Sequence, residues 1–156
     1  MRILVVFFSH GAITRQVAEE IALRCGADME EIRDSRPSVG AFTALRLVWD
    51  SLTGATPPIA PAQRDPADYD LVILGTPGSI GHVASPIRSY VRGNAYRFKR
   101  VAFFCTEGGR GGRRVFAELR ELCRQRPAST LFLTKRFLAD GDQEPLKNFL
   151  RRLTMT

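Results

Sequence analysis

Apolar positions along the chain come in two alternating forms: unbroken blocks of β-branched and aromatic residues, and longer stretches with helical spacing. The first block, Ile3-Leu-Val-Val-Phe-Phe8, predicts a central parallel strand covered on both faces, because such a strand has no solvent side to fill with polar residues. From Thr14 to Cys25, Val17, Ala18, Ile21, Ala22 and Cys25 share one helical face while Arg15, Glu19 and Arg24 lie elsewhere, which predicts a helix. Asp28 to Arg33 alternates weakly around Met29 and Ile32 and predicts a shorter strand nearer an edge. Phe42, Leu45, Trp49 and Leu52 step by three, four and three residues, so Val39 to Leu52 is read as a helix with Trp49 in the core. Gly54 ends it, and Pro57, Pro58 and Pro61 make an extended connector.

Two further apolar blocks, Asp70-Leu-Val-Ile-Leu-Gly75 and Arg100-Val-Ala-Phe-Phe-Cys105, predict buried strands. Each is followed by a helix: one opened by Pro86 and running to about Arg92, the other from Gly112 to Arg124 with Val115, Phe116, Leu119, Leu122 and Cys123 inward. Thr130 to Thr134 reads as a last strand, and Glu144 to Leu153 as a last helix carrying Leu146, Phe149, Leu150 and Leu153. Strands alternating with helices imply right-handed crossovers onto a parallel sheet. The expected fold is therefore α/β, a three-layer α/β/α sandwich in a single domain over residues 1–156. With the three strongly apolar strands in the middle, the five-stranded parallel sheet takes the order 2-1-3-4-5, and its ligand crevice lies outside the carboxyl ends of strands 1, 3 and 4.

Composition narrows this picture. No apolar run in the 156 residues approaches the roughly 18 that a membrane span needs. Met1-Arg2 and the apolar run after them resemble the start of a signal peptide, but the run stops at Ser9-His10-Gly11 without a cleavage site, so a cytoplasmic location is expected. Cys25, Cys105 and Cys123 are too scattered for a disulfide framework or a zinc site, and two histidines, His10 and His82, are too few for a histidine-rich metal site. Lys and Arg number 23 against 16 Asp and Glu, a net charge of +7 carried nearly all by Arg. Such a surface attracts phosphate-bearing cofactors, acidic partners or, nonspecifically, nucleic acid, although no specific nucleic-acid-binding signature accompanies it.

Candidate chemistry gathers in three loops. Ser9-His10-Gly11-Ala12-Ile13-Thr14 lies between strand 1 and helix 1. Its hydroxyls sit at a helix amino end, where unpaired N–H groups and the helix dipole attract an anion. N-capping by Thr14 or a neighbour is the plainer role for the same residues. Thr76-Pro77-Gly78-Ser79-Ile80-Gly81-His82 follows strand 3, with glycines that permit positive φ and a close backbone approach to a planar ligand. His82 is either a polar contact at the crevice rim or a solvated loop histidine. Thr106-Glu107-Gly108-Gly109-Arg110-Gly111-Gly112 follows strand 4, and its bare backbone amides suit hydrogen bonding to a ring edge or an anion. Its spacing is not that of a dinucleotide fingerprint. Arg110, Arg113 and Arg114 add local positive charge.

Assembled in this order, the fragments resemble the flavodoxin family over nearly the whole chain. Ile3 to Ser9 with Thr14-Arg-Gln-Val-Ala18 is similar to that family's first strand, phosphate loop and helix. Tyr69 to Pro77 with Ser85-Pro-Ile-Arg88, and Val101 to Gly109, are similar to its third and fourth strands and the loops after them. Gly40-Ala-Phe-Thr-Ala-Leu45 is similar to a segment of bacterial flavodoxin-like proteins. The resemblance implies FMN as cofactor. Ser9, His10, Gly11, Ala12, Ile13 and Thr14 would then hold its phosphate. Thr76, Pro77, Gly78, Ser79, Ile80 and Gly81 would flank the isoalloxazine on one side, and Thr106, Glu107, Gly108, Gly109 and Gly111 on the other. A carbonyl in the Gly78–Gly81 stretch would accept a hydrogen bond from the reduced ring's N5. Redox chemistry would belong to the flavin, with no catalytic side chain required.

Three features depart from the family pattern. The phosphate loop usually reads Ser/Thr-x-Thr-Gly-Asn-Thr, and Gly11-Ala12-Ile13 stands in its middle here. The second loop offers no aromatic to stack on the flavin, and the chain is basic where electron-carrying flavodoxins are acidic. Two functions stay open: an FMN-binding electron carrier or small flavin-dependent reductase, and a flavodoxin-fold binding or regulatory domain that has lost FMN. A redox partner protein or a nicotinamide nucleotide is the expected counterpart of the first. A homodimer through the Phe42–Leu52 helix is expected if its apolar face stays exposed. Two other uses of the topology are disfavoured by residue type. A response-regulator receiver needs carboxylates where Phe7-Phe8-Ser9 and Gly75 stand, and a low-molecular-weight phosphatase needs a cysteine directly after strand 1, whereas Cys25 lies at the far end of helix 1.

Overall fold

The computed structural model describes residues 1–38, 40–78, 81–106 and 112–155, with the backbone alone at 136–138. Strands β1 (Ile3–Phe7), β2 (Asp28–Glu31), β3 (Leu71–Pro77), β4 (Val101–Thr106) and β5 (Thr130–Leu133) form one parallel sheet in the order β2-β1-β3-β4-β5. The order is the one expected from the sequence. Between and after the strands run α1 (Ala12–Cys25), α2 (Ala41–Thr53), α3 (Ser85–Asn94), α4 (Gly112–Cys123), α5 (Lys135–Asp140) and α6 (Glu144–Thr154).

β1, β3 and β4 are buried along their whole length because successive side chains feed two separate cores. Ile3, Val5 and Phe7 join Ile73 and Phe104 against α1 and α6, while Leu4, Val6, Leu74 and Phe103 face α3 and α4. Both faces being covered, these strands contain no polar alternation. At Gly75 the requirement is room. It pairs with Phe104 in the β3–β4 register, and a Cβ there would fall 1.9 Å from that ring's Cζ.

α2 overturns one expectation. Phe42, Leu45, Trp49 and Leu52 are 71%, 65%, 68% and 49% exposed, so the stripe faces solvent and Trp49 is not a core residue. Asp50 and Ser51 are the buried positions of the helix, and Leu47 packs against the core beside them. The cause is a buried guanidinium. Arg88 of α3 is 3% exposed and donates to the carbonyls of Asp50 (3.2 Å), Ser51 (3.2 Å) and Ala55 (3.0 Å) and to Glu118 Oε1 (2.6 Å). Arg36 Nη2 donates to Asp50 Oδ2 at 2.5 Å from the other side. These bonds need their acceptors close, so the polar edge of α2 turns inward and its apolar stripe turns out. As expected, Gly54 closes the helix, in the left-handed conformation at φ 71°.

Smaller differences lie at the β2 edge. Glu30 is buried there and its carboxylate takes the Gln63 amide at 2.5 Å, whereas Met29 is half-buried. Asp34 pairs antiparallel with Ile59, tying down the proline connector, and α5 occupies a stretch the periodicity left as coil. The three cysteines are free thiols, and burial pushes Cys105 and Cys123 up to about 12. Among the described residues no helix is long and apolar enough to cross a membrane.

Candidate functional site

Between β1 and β3 the strand order reverses, so the crossovers leave in opposite directions and open a crevice at the carboxyl ends. Phe8 still donates its N–H to Gly75 O at 3.2 Å, and Ile32 donates to Phe7 O at 2.8 Å, so the chain leaves the sheet only at Ser9. The Ser9 hydroxyl donates to the Gly11 carbonyl. Gly11, extended at φ −170°, is the N-cap of α1; among the described residues no side chain caps the helix, and no acid lies in its first turn. The capping role open to Ser9 and Thr14 is therefore not the one they take. First-turn amides of a helix have no partner within the helix, and among the described residues no side-chain acceptor meets them at the end where the dipole is positive.

A cavity of about 350 Å³ opens at this helix end, lined by residues 10–14, Pro77 and Lys135, a volume suited to a small ligand. Beneath it the loop stems are tied together. Thr14 Oγ1 lies 2.7 Å from Thr106 Oγ1 in a buried pair joining α1 to β4. Thr76 Oγ1 donates to Pro77 O at 2.9 Å and accepts the Ala84 N–H at 3.0 Å. Gly78 N–H donates to Thr106 O at 2.8 Å. The three carboxyl ends are thus held in fixed register while the residues above them line the opening.

The flavodoxin family model matches residues 2–152. The chain belongs to the flavodoxin family. No curated protein sequence matches it. Among solved structures, it is similar to a Lactobacillus acidophilus flavoprotein in complex with FMN, at 19% identity and TM-score 0.75, covering 95% of this chain and 97% of that one. It is also similar to a WrbA-like flavodoxin from Agrobacterium tumefaciens, at 14% identity and TM-score 0.62, covering 96% and 95%. An NADH:FMN oxidoreductase in its apo form shares the fold at 10% identity and TM-score 0.59, covering 100% and 91%. At these identities the likeness is one of fold.

In this flavodoxin, residues 10–14 and Pro77 come together around one cavity, with Ser9 at its stem. Thr76 and Thr106 are fully buried, with their hydroxyls bonded within the stems. Gly81 takes positive φ, 77°, as its loop position suggested. Ser79, Ile80, Glu107, Gly108, Gly109, Arg110 and Gly111 lie outside the described residues. His82 has a charged neighbour from α4. It is half-buried with Nδ1 3.7 Å from Glu118 Oε2, beside the Arg88 ion pair. Arg113 and Arg114 are exposed in the first turn of α4.

Lys135 was not foreseen. It follows the last strand, 121 positions from Thr14 by residue number, and joins the cavity because α5 starts directly after β5. The available signal was weak: one lysine where the positive residues are nearly all arginine, placed just beyond a carboxyl strand end. Arg88 and Glu118 sit at helical positions, where charges usually mark a solvated face, and nothing local distinguishes a buried pair from an exposed one.

Proposed function

We propose that this flavodoxin binds FMN and acts in electron transfer, as a carrier or as a small flavin-dependent reductase. The observation that supports it most directly is the uncapped amino end of α1 facing a cavity at the strand-order reversal. The residues present fit the phosphate of FMN. Ala12 and Ile13 lack the hydrogen-bonding side chains usual in the family, but an anion at a helix amino end is held by backbone N–H groups, which both residues retain. Thr14, half committed to Thr106, keeps hydrogen-bonding capacity, since a hydroxyl carries one donor and two acceptor positions.

When bound, FMN supplies the electron and hydride chemistry. The chain's part is to hold and orient it: the first loop fixes the phosphate, and Pro77 closes one wall. Arg113 and Arg114 beside the crevice, within a chain of net charge +7, favour an acidic redox partner or the phosphates of a nicotinamide nucleotide as electron source.

A visible absorption spectrum of the purified protein, followed by titration with FMN, tests this. Bound flavin, or micromolar affinity weakened in Thr14→Ala, is the expected result. A folded, colourless protein indifferent to FMN would replace this reading with the other one open to the fold, a binding or regulatory domain without flavin.

A further inference from the structure

Side-chain donors are scarce in the first loop. Gly11, Ala12 and Ile13 carry none, the Ser9 hydroxyl is turned onto the Gly11 carbonyl, and the Thr14 hydroxyl is shared with Thr106. What faces an anion there is backbone amide, equivalent to roughly half a positive charge at a helix end, with the exposed His10 imidazole the remaining polar side chain of the loop at the cavity. A phosphate monoester carries about −1.5 to −2 at neutral pH, so the helix end alone leaves most of that charge unmatched. Lys135 lines the same cavity, from the first position of α5. Its ammonium brings a full charge and three donors, with no acceptor to oppose a phosphate oxygen. None of the described lining residues is acidic.

We propose that Lys135 is the charged phosphate ligand of this flavodoxin. It replaces by charge the hydroxyl donors missing at residues 11–13, and it makes the chain select the phosphomonoester FMN over uncharged riboflavin. The proposal rests on the FMN reading above and concerns how that ligand is held. It makes the affinity electrostatic, hence sensitive to salt. A loop that binds by hydroxyls and amides alone would show less of that dependence.

The test is a pair of titrations, FMN and riboflavin, followed by quenching of flavin fluorescence, on the wild-type chain and on Lys135→Ala and Lys135→Arg. Circular dichroism confirms folding, and the exposed position of Lys135 makes both variants compatible with the fold. Expected is an FMN preference in the wild type that shrinks as salt rises. Lys135→Ala should bind FMN about fivefold more weakly, the scale of an exposed ion pair, bind riboflavin as before, and lose much of the salt dependence. Lys135→Arg should keep the preference. Unchanged FMN affinity and salt dependence in Lys135→Ala would overturn the proposal while leaving FMN binding intact. Equal weakening of FMN and riboflavin would also overturn it, marking Lys135 as a support of the loop. A wild-type chain that binds neither flavin would remove the FMN reading itself, and the role of Lys135 with it.

Discussion

A methyl group on Gly75 would have to share space with the Phe104 ring, 1.9 Å from its Cζ, at the centre of the sheet. The ring is fully buried in the core against α1 and α6, so Gly75→Ala should cost about 1–3 kcal/mol, read as a lower urea midpoint at unchanged slope. Arg88 is the polar counterpart. Its guanidinium satisfies three carbonyls at the end of α2 together with the Glu118 carboxylate. Arg88→Ala strands all of them, and a loss of about 3–5 kcal/mol in the same measurement is expected. Neither role was legible in the sequence. Gly75 was read only as the end of a strand and Arg88 only as part of the Ser85-Pro-Ile-Arg88 segment, because the partners that define their roles belong to other elements.

At the scale of elements, α2 and the segment leading into it show how a correct helix can be placed the wrong way round. The three-four-three spacing establishes one apolar stripe on α2, but it does not say which way the stripe faces. With Trp49 as the lone tryptophan and 68% exposed, its fluorescence should resemble indole in water and be quenched efficiently by iodide. A blue-shifted, protected emission would contradict the exposed stripe in solution. Before α2, Asp34 accepts bonds from Arg36 at 2.7–3.2 Å. Burial pushes its carboxyl up, but the Arg36 hydrogen bonds and charge outweigh that and hold it below the ordinary aspartate value. A depressed folded pKa means that its contribution to stability is complete above the unfolded value of about 3.9 and is lost as pH falls through the folded value. Asp34→Asn should therefore lower stability at neutral pH and flatten the acid-side decline below about pH 4, checked by urea midpoints across that range.

For the whole molecule, a ligand that binds only the folded chain adds to its stability. FMN at a hundredfold excess over its dissociation constant should raise the melting temperature by roughly 5–10 °C. Riboflavin at the same concentration should raise it less if Lys135 acts as proposed.

The strand order, the three buried strands and the loops that face the crevice were determined by the sequence itself. A strand covered on both faces must be apolar at every position, and that requirement is written locally, residue after residue. The tertiary structure alone decided which distant side chains meet. Thr14 reaches Thr106, Arg88 reaches the end of α2, and Lys135 joins residues 10–14 because register and crossover direction carry them there. Burial leaves a periodic trace along the chain, whereas a contact between residues of different crossovers leaves none, since either partner alone is compatible with solvent.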